Sequence, residues 1–116
     1  MKAAGKREKG RRLELKVAQL IRKKGLDSKA RRMVLSGGDP MMPGDIYTKL
    51  QFSFECKNQE QMSFWTWWEQ AEAQKRPMRP TVLVHTANYR PIMISMKFTD
   101  WLDILKELED YKLERT

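Results

Sequence analysis

Six consecutive residues, Phe52-Ser53-Phe54-Glu55-Cys56-Lys57, alternate apolar and polar side chains without a break. A period of two is the signature of a half-buried β-strand. It sends Phe52, Phe54 and Cys56 to one face and Ser53, Glu55 and Lys57 to the other. The flanking segments extend the pattern. Residues 45–49 form a preceding short strand, with a turn at Leu50-Gln51, and residues 29–35 an earlier one. The stretch 36–44, with Ser36-Gly37-Gly38-Asp39-Pro40 and Pro43-Gly44, is rich in turn residues and reads as a polar loop. From 10 to 24, Leu13, Val17, Leu20 and Ile21 recur at helical spacing, and Gly25 stops the helix. A second helix spans about 61–75 and ends before Pro77 and Pro80. Strands near 81–86 and 92–97 flank a turn at Asn88-Tyr89-Arg90-Pro91. Thr99 is expected to cap a last amphipathic helix carrying Trp101, Leu102, Leu105 and Leu108. The order is helix, three strands, helix, two strands, helix. It predicts an α/β fold with a mixed central sheet flanked by helices. A single domain over 10–116 follows a flexible basic tail at 1–9.

Charge narrows the partners. Residues 1–32 hold 13 basic and 3 acidic residues, whereas the whole 116-residue chain carries a net charge of +8. The remainder is therefore close to neutral, at −2. A basic arm and helix on a mildly acidic body point to a polyanion, with DNA ahead of an anionic membrane because the arm lacks bulky apolar anchors. No apolar run is long enough to span a bilayer. The basic N-terminus has no apolar stretch behind it, as a signal peptide would. One cysteine (Cys56) and one histidine (His85) leave no disulfide framework and no structural zinc set. Both fit a reducing, cytoplasmic setting, the host cytoplasm for a phage-encoded chain.

The chemistry centres on the alternating strand. Glu55 and Lys57 share one face, an arrangement that by itself is often a surface ion pair. Three neighbours raise its meaning. Asp45 opens the preceding strand, and a hairpin would bring it level with Glu55. Two carboxylates held together are costly without a cation between them, and oxygen ligands on a compact site suit Mg²⁺ or Mn²⁺. Glu14 sits among Val17, Ala18 and Ile21, at the border of the packing face of the first helix, where a carboxylate is rarely left unpaired. It is either capped by a neighbouring arginine or a third acid of the site. The polar loop 36–44 can admit a phosphate backbone. The set favours metal-assisted phosphodiester hydrolysis, with Lys57 orienting or activating water or countering developing negative charge. Cys56 points away into the core, His85 is alone on an apolar strand, and no P-loop is present.

In order and spacing, Gly10-Arg11-Arg12-Leu13-Glu14, Arg31-Arg32, Ser36-Gly37-Gly38, Pro43-Gly44-Asp45-Ile46 and Phe54-Glu55-Cys56-Lys57 resemble the PD-(D/E)XK nuclease superfamily. Within it, the chain looks like the archaeal-type Holliday-junction resolvases and their phage relatives, from about Gly10 to Ile104. Here Gly44 separates the Pro and Asp that are adjacent in the family, and Asp39 is a second acid in the same loop. The resemblance implies a restriction-endonuclease-like core and a Mg²⁺-dependent endodeoxyribonuclease serving DNA recombination and repair. Asp45, Glu55 and the backbone carbonyl of Cys56 would hold the metal. Glu14 would complete the set directly or through water, and Lys57 would be the catalytic lysine. Arg11, Arg12, one of Arg31 and Arg32, Ser36 and Gln70 would contact DNA or support the site. Resolvases of this type act as symmetric dimers on branched DNA. Some of Trp65, Trp67, Trp68 and Trp101 would then lie at an interface, where Trp is enriched. The alternatives are a nuclease of the same superfamily acting on other DNA, as a nicking, flap or restriction-type enzyme, and a non-catalytic DNA-binding module on the same fold.

Overall fold

A computed structural model describes residues 2–33 and 45–115. The elements follow the expected order. They are helix α1 (Lys2–Lys23), strands β1 (Arg31–Arg32), β2 (Ile46–Tyr47) and β3 (Ser53–Asn58), helix α2 (Phe64–Gln74), strands β4 (Thr81–Thr86) and β5 (Met93–Ser95), and helix α3 (Phe98–Glu114). β3 and β4 pair in parallel, with Glu55 opposite Leu83 and Lys57 opposite His85, and β5 runs antiparallel to β4. The parallel pair needs a crossover, which α2 supplies. The result is the mixed, helix-flanked α/β arrangement that the periodicities call for. Among the described residues, no helix is long and apolar enough to cross a membrane.

The alternation in β3 sorts the two faces. Cys56, Val82 and Val84 pack with Leu13, Val17 and Ile21 of α1, and Phe52 and Phe54 lean on the same cluster. Each large aliphatic side chain buried there contributes roughly 1.5–3 kcal/mol. The opposite face belongs to α2, which buries Trp67 and Ala71. Ser53 accepts a hydrogen bond from the Arg76 amide, and the Thr81 hydroxyl donates to Glu72, both on this side. Gly25, at φ +76°, terminates α1 as expected. The Leu26 amide reaches back to the Ile21 carbonyl, closing a Schellman-type turn that glycine enters at little cost.

Several elements depart from the periodicity reading. α1 starts at Lys2, so residues 2–9 are helical where a flexible tail was expected. That stretch holds mostly good helix formers and no proline. Its end is pinned by Asn58, which donates to the Lys9 carbonyl, and by the Lys9–Glu60 ion pair. The first strand is only Arg31–Arg32 within the described residues, and the loop 36–44, with Ser36, Asp39 and Pro43, lies outside them. Leu20 faces solvent. Thr99 does not cap α3. The helix starts two residues earlier, at Phe98, Lys97 holds the cap position, and Asp100 in the first turn meets the helix dipole. β2 pairs with β1, not with β3.

That small β1–β2 pair is fastened by groups that sequence patterns do not reveal. Asp27 is buried and accepts from the Thr48 hydroxyl at 2.6 Å, the Lys49 amide at 2.9 Å and the Lys29 amide at 3.0 Å. Arg79 donates to the carbonyls of Thr48 and Leu50. The Thr48 hydroxyl first, then the two amides, hold the Asp27 carboxyl down at about 2. The folded state thus favours the charged form. Its stabilising effect is complete above the ordinary aspartate value, and it is lost as pH falls from about 3.8 through about 2. Asp27→Asn is expected to lower the unfolding midpoint at pH 7. In urea titrations the gap between the variant and the parent should close as pH is lowered through that window.

Candidate active site

Three elements and one connecting residue converge on the free edge of β3. Asp45 immediately precedes β2. Its amide donates to the Phe54 carbonyl at 3.0 Å, and its carbonyl accepts from the Met33 amide at 2.8 Å. Its carboxylate oxygen Oδ2 accepts from the Cys56 amide at 2.7 Å. Asp45 therefore lies against β3 where a neighbouring strand would, and its side chain completes the pairing. The level expected from a hairpin is reached by a different connection. The carbonyl of Cys56 projects from the same strand edge as its amide. Hence it faces the Asp45 side.

Glu55 lies beside this acid, 5% exposed and hydrogen-bonded to the Asp45 carboxyl. Its Oε1 is buried and has no hydrogen-bond partner among the described residues. Burial, then the charge of Asp45, pushes the Glu55 carboxyl up to about 9, and Glu14 adds to the rise. Burial also raises Asp45, opposed by the Cys56 amide. Both carboxyls are thus raised, as expected of two acids brought close together in a buried site. Glu14, on α1, is raised by burial and by Asp45 and held by Arg32, whose Nε donates to its Oε1 at 3.0 Å. On the other side, Lys57 donates from Nζ to Oε1 of Gln70 at 3.2 Å, so α2 aims the ammonium across the face that Glu55 occupies.

The two arginines left open by the sequence separate here. Arg32 reaches Glu14, whereas Arg31 stacks over the Tyr47 ring at 4.5 Å and is exposed. Arg11 pairs with Glu8 on the exposed side of α1, and Arg12 is exposed. Ser36 is outside the described residues. Cys56 is buried in the α1 core, and burial, with Asp45 and the two glutamates beyond it, pushes its thiol up, so it is no nucleophile. His85 bonds to Ser95 at 2.9 Å and serves the sheet. Asn58 escaped sequence reasoning. It follows Lys57 on the strand, ties α1 to β3, and keeps a buried Oδ1 without a partner among the described residues. Its parity, shared with Cys56, was the available signal.

No three His, Cys, Asp or Glu side chains among the described residues form a metal cage. Two carboxylates and one strand-edge carbonyl do converge, and an orphaned, buried carboxylate oxygen points into the site. Hard cations such as Mg²⁺ take one or two carboxylates and retain water. This donor set fits such an ion.

The family described as "Phage putative PDDEXK endonuclease" matches residues 5–116, and the chain belongs to it. No curated protein and no solved structure matches the chain significantly.

The raised acid pair has a measurable consequence. Folding keeps a proton on Glu55 that the unfolded chain releases near pH 4.5, so stability is lost as pH rises from there towards about 9. The loss is at most about 1.4 kcal/mol per pH unit. Glu55→Gln should match the metal-free parent in stability near pH 5 and exceed it at pH 8. Urea midpoints at the two values measure the difference.

Proposed function

We propose that this phage PD-(D/E)XK endonuclease is a metal-dependent, structure-specific DNA nuclease that resolves four-way junctions by paired nicks, acting as a homodimer. The observation that carries the catalytic part is the close Asp45–Glu55 carboxyl pair at the edge of β3, with its orphaned buried oxygen, beside a lysine held by Gln70. A protein spends stability on such a pair where a cation will replace the proton. The junction and the dimer rest on the family resemblance. The concentration of basic residues in 1–32 supports a polyanionic substrate.

Asp45, Glu55 and the Cys56 carbonyl would hold Mg²⁺, with Mn²⁺ a substitute. When bound, such an ion lowers the pKa of water and neutralises charge on the scissile phosphate. Asp45 is fixed by the Cys56 amide, so its free oxygen faces the site without rearrangement. Glu55 would hold the ion as a carboxylate, its proton released to solvent. Lys57, steadied by Gln70, places a positive charge where the phosphate gains negative charge, or orients the attacking water. Arg32 holds Glu14 close enough to act on that water. Arg11 and Arg12 on exposed turns of α1 meet backbone phosphates, which positions the protein without reading sequence.

The experiment is cleavage of a labelled four-way junction beside linear duplex, flap and single strand, with and without Mg²⁺. Symmetric nicks in the junction alone, only with metal, are expected. Cutting of another form moves the substrate, and binding without cutting in any form moves the chain to the DNA-binding modules. Glu55→Gln and Asp45→Asn should abolish cutting while retaining DNA affinity. Lys57→Ala should cost on the order of 10²–10³ in rate.

The double variant Arg11→Ala/Arg12→Ala should weaken binding to every DNA form alike. The slope of log affinity against log salt should fall by about 2. Fluorescence anisotropy across a salt series reads both.

A further inference from the structure

α3 spans 17 residues and buries none of them. An isolated helix of this length is marginal in water, and helices in proteins are held mainly by packing of an apolar face. α3 has such a face. At 100° per residue, Phe98, Trp101, Ile104, Leu105, Leu108 and Tyr111 fall within an arc of about 140°. Phe98 is 68% exposed and Trp101 44%, and these two rings stack with centroids 6.0 Å apart. Asp103, Glu107, Asp110 and Glu114 lie on the far side, and Asp100 and Glu109 flank the two edges of the stripe.

We infer that the occupant of this face is α3 of a second copy, packed antiparallel across a two-fold axis between Ile104 and Leu105. Three observations select that partner. First, the stripe is symmetric about the middle of the helix. Phe98 and Tyr111, Trp101 and Leu108, and Ile104 and Leu105 are each equidistant from the midpoint, so a reversed copy sets apolar against apolar along the whole length. A two-fold interface demands this self-complementarity. Second, α3 carries six acidic and two basic residues. That sign repels both nucleic acid and anionic lipid, and none of the six acids lies within the stripe: Asp100 and Glu109 border its two edges and the other four face away from it. Third, the face lies in the right place. α3 leaves from β5, the sheet edge opposite β3, and β5 itself exposes Met93 and Ile94. Pairing there enlarges the contact towards the roughly 800 Å² per partner of a stable interface. It also leaves both Asp45–Glu55 edges and both α1 helices open to DNA.

The proposal deepens the dimeric nuclease reading and rests on it only for the purpose of the dimer, so the two can fail separately. The test is sedimentation of the full chain across a hundredfold concentration range, with cleavage assays in parallel. Twice the chain mass is expected. Trp101→Glu and Leu108→Glu should each weaken dimerisation at least tenfold, and Glu107→Lys on the acidic side should not. The one native cysteine is buried, so Leu105→Cys should yield a disulfide-linked dimer on oxidation. A monomer at every concentration overturns the proposal. So does a dimer that survives Leu108→Glu, a Leu105→Cys variant that does not cross-link, or a monomer that floats with lipid vesicles through this face. Dimers that obey all the variants but never cut DNA leave the interface standing and remove the nuclease reading. Cutting by a chain that stays monomeric does the reverse.

Discussion

The site depends on how Asp45 occupies the free edge of β3. A parallel strand edge presents amides and carbonyls that must be satisfied. Here one residue does so at two points, its amide on the Phe54 carbonyl and its carboxylate on the Cys56 amide, while its own carbonyl accepts from Met33 on the β1–β2 side. The same bonds that splice the small strand pair to the main sheet therefore fix an acid against Glu55. Metal chemistry needs two carboxylates at close range, and the fold achieves this by making one of them part of the sheet's hydrogen bonding. Arg32 follows from the same splice. β1 is carried to α1 with β2, which brings its guanidinium to Glu14. The cost is a close pair of acids, Glu55 buried, whose carboxyls burial raises, with one buried oxygen left without a partner among the described residues.

Much of this was legible in the chain because periodicity sets direction. The alternation from Phe52 to Lys57 put Cys56 into the core and left Glu55 and Lys57 together on the other face. Helical spacing buried Leu13, Val17 and Ile21 and brought Glu14 to the border of that face. What stayed illegible depends on pairing between distant segments. Asp45 reaches the level of Glu55, but through backbone bonds to Phe54 and Cys56, while β2 pairs with β1. No local pattern distinguishes those connections. On a two-residue strand, the choice between Arg31 and Arg32 is one of parity. Only the register with Ile46 and Tyr47 decides it. Asp27, Arg79 and Asn58 read as solvated loop or strand-end residues, since the partners that bury them lie 21 to 49 positions away. The extent of α1 was underestimated for a related reason. Propensity permits a helix from Lys2, but two glycines weaken the signal, and the contacts that pin the Lys9 turn come from the end of β3 and just past it, at Asn58 and Glu60.

The distribution of charge along the fold follows the same division. α1 and β1 carry the basic excess and stand beside the catalytic edge. α3 carries the acidic excess and departs from the far edge of the sheet. A chain polarised in this way orients itself in the field of a polyanion before contact, basic side first. That presents the Asp45–Glu55 edge to phosphate and turns α3 away. The apolar stripe of α3 therefore stays clear of DNA at the moment the active site is engaged, and a partner bound there would not compete with substrate. The proposed reaction, two matched cuts by paired copies, would need that separation: one surface for the phosphates, and another, of opposite sign, to join the copies.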